Sequence, residues 1–187
     1  MKKRILVITP RFPIPTLGAC EQDRLAGMIR LKTLGFDVRV VAKVFSFQST
    51  KDIEDFSRQY DIPVKLLQYE SQKEKSGFKK FLFYLKRLSS PLSWDGAAYE
   101  YAHKETITTV EKIADEWQPD VAWFDYTYLW PLYSIFQKRN IPIITRSINF
   151  EPLHFLQEDG YTILNFIKFV FKLMSEIIVV RKSNAIF

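Results

Sequence analysis

ILVITPRFPIPTLGACEQDRLAGMIRLKTLGFDVRVVAKV, residues 5–44, decides the fold. Its first residues, Ile5 to Thr9, are apolar and largely β-branched, and predict a buried strand over about Arg4 to Thr9. Leu25 to Leu34 has helical spacing, which predicts a helix over about Glu21 to Leu34, with Gly35 at the left-handed position that ends it. A second strand follows, from about Asp37 to Val44. Between the first strand and the helix lies an unusual loop, Pro10 to Ala19, with three prolines and a single glycine, Gly18.

The same alternation continues to the end of the chain. STKDIEDFSRQY (residues 49–60) predicts a short helix capped by Ser49, and IPVKLLQY (62–69) a third strand. A long helix is predicted from about Gly96 to Trp117, and a fourth strand in PDVAWFDY (119–126). TYLWPLYSIFQKRN (127–140) reads as a helix with Pro131 in its first turn, and IPIITRS (141–147) as strand five. NFEPLHFLQEDG (149–160) is a loop or short helix, ILNFIKFVFKLMSEIIVVRKS (163–183) a helix, and NAIF (184–187) the start of a sixth strand. Strands alternating with helices imply one Rossmann-like domain, a doubly wound parallel sheet between two helix layers, of strand order 3-2-1-4-5-6. A chain that stops as a strand begins reads as the front piece of a longer protein.

The bulk composition bounds the partners. With 187 residues, about half of them apolar, the chain can bury a real core. A formal charge of +6 suits an anionic partner, or serves solubility alone. Cys20 is the only cysteine, so no internal disulfide forms, and a reducing, cytoplasmic setting is expected. MKKRILVITP begins like a signal peptide, but Pro10 and Arg11 break its short apolar run. Lys168, Lys172 and Glu176 interrupt the longest apolar stretch and argue against a spanning helix.

In an open α/β sheet, ligands meet the carboxyl ends of the strands where the strand order reverses, here between strands one and four. Gly18 and the N–H groups that open the first helix either make an anion site there or Gly18 merely ends the loop. Glu21 and Asp23 complement the helix dipole, whereas Arg24 opposes it unless an anion binds. Neither GxGxxG nor GxxxxGK[ST] is present, which disfavours a dinucleotide or a P-loop nucleotide. Asp125 ends strand four, where it either takes a proton or sugar hydroxyl or caps the next helix. Tyr126 adjoins it. Arg146, Asn149 and Glu151 follow strand five, with Arg146 either holding an anion or pairing with Glu151. His154 lies near the same mouth, and His103 reads as structural in mid-helix. Two histidines give neither a metal cluster nor a Ser-His-Asp arrangement.

Residues Lys73 to Trp94 interleave lysines with Phe78, Phe81, Leu82, Leu85 and Leu88. As a helix this segment either lies on an anionic membrane or packs its apolar side on the sheet. Nucleic acid is not expected, because no recognition motif accompanies the charge.

The order of these parts resembles the N-terminal half of a B-fold (GT-B) glycosyltransferase of retaining family four. RILVITPRFPIPTLGACEQDRLAGMIRLKTLGFDVRVVA matches the family's strand, glycine loop and helix, and QPDVAWFDY its "PD-V" strand. IPIITRSINFEP is similar to a strand ending in a His-Asn-x-Glu turn, and KSNAIF to the strand leading to the second domain. Ile148 stands where that turn has its histidine, so only Asn149 and Glu151 carry over.

The resemblance implies a hexosyl-type transfer, with retention, from a nucleotide-sugar to a lipid-linked or polysaccharide acceptor of the cell envelope. The nucleotide-sugar is a substrate, and no cofactor or metal is implied. Gly18 and Arg24 would face the donor diphosphate. Asp125, Tyr126, Arg146 and Asn149 would contact the acceptor, and Asp125, Asn149, Glu151 and His154 are the catalytic candidates. The whole chain, 1–187, would be the acceptor-side domain, inactive alone, cytoplasmic or peripheral at the inner membrane face. The competing readings are a non-catalytic module that binds an anion or sugar, and a membrane adaptor.

Overall fold

The computed structural model describes residues 2–69, 77, 78, 81, 82, 85 and 95–187. The elements are β1 (Arg4–Arg11), α1 (Ala19–Thr33), β2 (Asp37–Val44), α2 (Thr50–Tyr60), β3 (Val64–Gln68), α3 (Gly96–Tyr101), α4 (Lys104–Trp117), β4 (Val121–Phe124), a 3₁₀ segment (Thr127–Leu132), α5 (Tyr133–Gln137), β5 (Ile143–Thr145), α6 (Glu151–Asp159), α7 (Ile163–Lys182) and β6 (Ala185–Ile186). The six strands form one parallel sheet of order β3-β2-β1-β4-β5-β6. The chain is a single Rossmann-like α/β domain.

Side-chain alternation along β1 builds both cores. Ile5 and Val7 pack with Val38, Val40, Met28 of α1, and Ile53 and Phe56 of α2. Leu6 and Ile8 pack on the opposite face with Val110, Ala114 and Trp117 of α4, Phe136 of α5 and Val179 of α7. The connections that lead from β1 to β2 and from β3 to β4 therefore occupy opposite faces, which places the reversal of strand order between β1 and β4. Ser49 caps α2, its hydroxyl accepting from Asp52 N at 3.2 Å, and Gly35 has φ +90° at the end of α1.

Three local expectations need correction. Strand β1 runs on through Pro10 to Arg11, with a register shift at Pro10, which has no N–H for the ladder. The loop is therefore Phe12–Gly18, shorter than predicted. It is tied down by Gln48, whose amide donates to Phe12 O at 2.8 Å and also to Ile14 O. The helix containing Pro131 begins as the 3₁₀ segment and becomes α-helical only at Tyr133.

The predicted helix from Gly96 to Trp117 is two helices, broken at Ala102 and His103, so His103 is a helix cap and not a mid-helix residue. The cause lies in β2. Lys43 Nζ donates to Glu100 Oε1 at 2.6 Å and to Glu100 O at 3.0 Å. That carbonyl would otherwise bond the N–H of Lys104 in a continuous helix. The basic segment Lys73–Trp94 lies mostly outside the described residues, of which it includes only 77, 78, 81, 82 and 85. There Phe78, Phe81, Leu82 and Leu85 are exposed.

The side chains of Lys43 and Glu100 are 2% and 8% exposed, so neither charge is compensated by water. Glu100→Ala should lower stability by about 3–5 kcal/mol, read as a reduced urea midpoint at unchanged slope. Lys43→Met combined with Glu100→Leu should recover most of that loss. A double variant no better than the single one would contradict this assignment.

Candidate functional site

The carboxyl ends of β1, β4 and β5 converge at the switch point. Ladder bonds run one residue past β4 and β5, with Asp125 N donating to Ile8 O at 3.0 Å and Arg146 N to Phe124 O at 2.8 Å. These bonds fix the two residues side by side. Asp125 is 2% exposed, and its Oδ1 accepts from Trp123 Nε1 at 2.9 Å and lies 3.5 Å from Arg146 Nη2. Its Oδ2 has no hydrogen-bond partner. Asp125 is thus not the helix cap that one sequence reading allowed.

Two guanidinium groups face this carboxylate. Arg146 Nη1 donates to Asp23 Oδ2 at 2.8 Å, while its Nε and Nη2 are buried with no hydrogen bond. Arg146 therefore pairs with Asp23 and Asp125, and the predicted pair with Glu151 is not formed. Arg24 is 7% exposed, its guanidinium lies 5.0 Å from the centre of the Tyr126 ring, and its Nε is likewise unpartnered. Burial pushes the Asp125 carboxyl above the ordinary carboxylate range, against the pull of Arg146, the Trp123 indole, Arg24 and the Thr9 hydroxyl. The chemistry is mixed by construction: donors from two arginines and one free carboxylate oxygen. A hydroxyl can satisfy both at once, accepting from a guanidinium and donating to Asp125. A phosphate would meet the arginines but also the Asp125 charge.

An aromatic ledge runs from this cluster along the carboxyl edge. The rings of Tyr126 and Tyr128 lie 4.7 Å apart and those of Tyr128 and Tyr101 6.0 Å apart. Tyr101 and Tyr69 both donate to Pro10 O, at 2.6 and 2.9 Å, and Tyr69 stacks on Phe45 at 4.2 Å. Beyond it is a cleft of about 350 Å³ lined by Phe45, Tyr69, Gln48, Gln68, Ser46 and Thr50. Tyr126 is pushed up to about 12 by burial and by the charge of Glu151.

The other predicted residues divide. Glu151 is half-buried beside Tyr126, and burial raises its carboxyl despite Lys172 and His154. Asn149 is exposed, and its carbonyl accepts from Ser147 Oγ at 3.2 Å. His154 sits one turn along α6 from Glu151, 3.3 Å from Glu158. Gly18 opens α1 with an extended backbone, and a Cβ there would lie 3.1 Å from Glu21 Oε2. Glu21 is bonded to Arg11. Burial raises its carboxyl, but its own backbone N–H, Arg11 and Arg24 together hold it below the usual value. The Glu21 carboxylate thus already serves the helix end that was expected to take an anion.

The sequence reading missed Thr9, Arg11, Trp123 and Tyr128 around the site. It also missed a polar network beneath it. Thr127 Oγ1 donates to Glu176 Oε1 at 2.7 Å, Trp130 Nε1 to Ser175 Oγ at 2.9 Å, and Ser175 Oγ to Asp95 Oδ2 at 2.8 Å. This network seats α7 against the 3₁₀ segment that carries Tyr128. A charged residue inside an apolar run, as in DVRVVAKV or SEIIVV, was the available signal. Among the described residues, no group of three or more His, Cys, Asp or Glu could hold a metal ion, and no helix is long and apolar enough to cross a membrane.

No family model and no curated protein matches the chain. Among solved structures it is similar to one assigned as a UDP-N-acetylglucosamine 2-epimerase from Listeria monocytogenes, with TM-score 0.52 and 10% identity over 100% of this chain and 39% of that one. LpCGTa in complex with UDP aligns with TM-score 0.48 and 11% identity, over 89% of this chain and 37% of that one. UGT89C1 of Arabidopsis thaliana, complexed with quercetin, gives 0.47 and 17%, over 89% and 40%. The first likeness shows the Rossmann-like fold. The chain spans about two fifths of the length of these structures.

Burial raises Glu176 as well as Asp125 and Glu151. A carboxyl raised on folding keeps its proton longer in the native state than in the unfolded one. Its contribution is full below the unfolded value, about pH 4, and is lost as pH climbs through the folded value. The contribution of these three carboxyls should therefore decline as pH rises out of the ordinary carboxylate range. Glu176→Gln, which keeps an acceptor for Thr127, should flatten that decline in urea midpoints taken from about pH 4 to 7. A variant whose profile parallels wild type would contradict the assignment.

Proposed function

We propose that the chain is the N-terminal, acceptor-side domain of a retaining GT-B glycosyltransferase of family-four type, incomplete without a second, donor-binding domain. The observation that carries the reading is the switch-point cluster. Asp125 offers a free carboxylate oxygen beside Arg146, within reach of the charge of Arg24, and both arginines have unsatisfied N–H groups at the edge of an aromatic ledge. Aromatic faces beside a few convergent polar groups suit a sugar ring, because its C–H faces pack on the rings while its hydroxyls both donate and accept.

In this reading an acceptor hydroxyl donates to Asp125 Oδ2 and accepts from Arg146 or Arg24. Asp125, partly neutralised by the arginines and raised by burial, orients that hydroxyl and draws on its proton as the new bond forms. Tyr126 and Tyr128 stack on the sugar. Glu151 holds Tyr126 in place, and Asn149 and His154 lie further out on the same rim. Gly18 and the start of α1 would approach the donor diphosphate only if Glu21 swung away, with Arg11 and Arg24 then free to meet the phosphates. The family resemblance supports a nucleotide-sugar donor, a lipid-linked or polysaccharide acceptor and retention. The named activity of the Listeria structure, on a UDP-sugar, agrees with the donor class. A peripheral position at an anionic membrane, with the exposed Phe78, Phe81, Leu82 and Leu85 touching lipid, belongs to the same proposal.

Saturation-transfer NMR on the chain tests it. Methyl glycosides of glucose, N-acetylglucosamine and mannose, with UDP alongside, are the probes. At least one glycoside should give transfer that falls several-fold in Asp125→Asn, with circular dichroism unchanged, while UDP gives little. Strong UDP binding that ignores Asp125→Asn would overturn the acceptor-side reading.

A further inference from the structure

Helix α7 is inverted. Its buried residues are Asn165, Ser175, Glu176 and Val179, three of them polar. Its outward residues are apolar along the whole length: Leu164, Ile167, Val170, Met174, Ile177 and Val180 are each 41–67% exposed, and Ile163 is 84% exposed. The charges along this stretch turn inward. Lys168 and Lys172 lie over the Phe155 ring at 5.7 and 5.2 Å, Lys172 also reaches Asp95 at 3.7 Å, and Glu176 takes the Thr127 hydroxyl. An exposed apolar stripe on a 20-residue helix, about 30 Å long, marks an interaction surface.

We propose that this stripe is covered by α7 of a second copy of the chain, packed antiparallel about a two-fold axis near Lys172. The stripe reads the same in both directions. Its residues fall at 164, 167, 170, 174, 177 and 180, so reversing the helix sets Leu164 on Val180, Ile167 on Ile177 and Val170 on Met174. A two-fold interface needs such self-complementarity, because one patch must match itself. Charge picks the direction. Reversal brings the basic end, Arg181 and Lys182, to the end where Glu158 and Asp159 close α6. A parallel pair would set like charges and like helix ends together. A lipid surface is the poorer occupant, because the lysines that should flank the stripe are turned inward and only one end of the helix is cationic.

The test uses the whole chain. At 10–100 µM, light scattering after size exclusion should give about 44 kDa, twice the chain mass of 22.1 kDa, and Val170→Glu with Met174→Glu should give 22.1 kDa with unchanged circular dichroism. Direction is read in a Cys20→Ser background. Chains carrying Leu164→Cys and Val180→Cys should form a disulfide when mixed under mild oxidation, and neither should link to itself. A monomeric wild type at 100 µM would overturn the proposal. So would self-linking of Leu164→Cys, the mark of a parallel pair. Co-sedimentation with phosphatidylglycerol vesicles, lost in the Val170→Glu and Met174→Glu variant of a monomeric protein, would assign the stripe to lipid and overturn it too.

Discussion

Strand β1 bonds to β2 on one side and to β4 on the other, and the rest of the molecule takes its place from that. A central parallel strand cannot be reached by a hairpin, so each neighbour must return over a face of the sheet. The connections on the two sides of β1 send α1 and α2 to one face and α4, α5 and α7 to the other. The helices then part at the carboxyl end of β1, and the gap exposes the ends of β1, β4 and β5. The candidate site is therefore a product of strand order before it is a product of any side chain. Asp125 and Arg146 are delivered to it by ladder bonds that run one residue beyond their strands.

The residues that fill the gap carry a cost. Asp125, Arg24 and Arg146 are buried with polar atoms unsatisfied, and such groups destabilise a fold unless a partner arrives. Asp23 of α1 pairs with Arg146, and Glu21, in the first turn of α1, pairs with Arg11. The region beneath is held by hydrogen bonds, Thr127 to Glu176 and Trp130 through Ser175 to Asp95, with Lys172 3.7 Å from the other oxygen of Asp95. A hydrogen-bonded support below and a cluster with several unsatisfied polar atoms above is the arrangement expected of a rigid seat under a binding surface. The same network explains why α7 turns its polar side inward and leaves its apolar side outward.

Strand order and the extent of β2 were legible because apolar runs bounded by glycine, proline and asparagine are local signals. So was the neighbourhood of the site, which strand order alone dictates. What was not legible depends on contacts distant in sequence. Lys43 breaks the predicted long helix from 57 residues away, and Arg146 takes Asp23 from 123 residues away in place of nearby Glu151. At Gly18 the contact that the sequence did not show is a local one, the Glu21 carboxylate beside the helix end. A free helix end is an anion site only while no carboxylate of the chain occupies it, and Glu21 does. Asn149 and His154 were grouped with Asp125 because they follow strand five at the same carboxyl edge; Asn149 faces solvent and His154 rides α6 beside Glu158.

The central claim is that the switch-point cluster recognises a hydroxyl and not a phosphate. A crystal structure of the chain grown with a methyl glycoside, and a second grown with inorganic phosphate, tests it most directly. The account predicts a sugar hydroxyl about 3 Å from Asp125 Oδ2, bonded also to Arg146 or Arg24, with the ring against Tyr126. It predicts no phosphate between the two arginines. Phosphate seated there, with the glycoside elsewhere on the sheet edge, would contradict it.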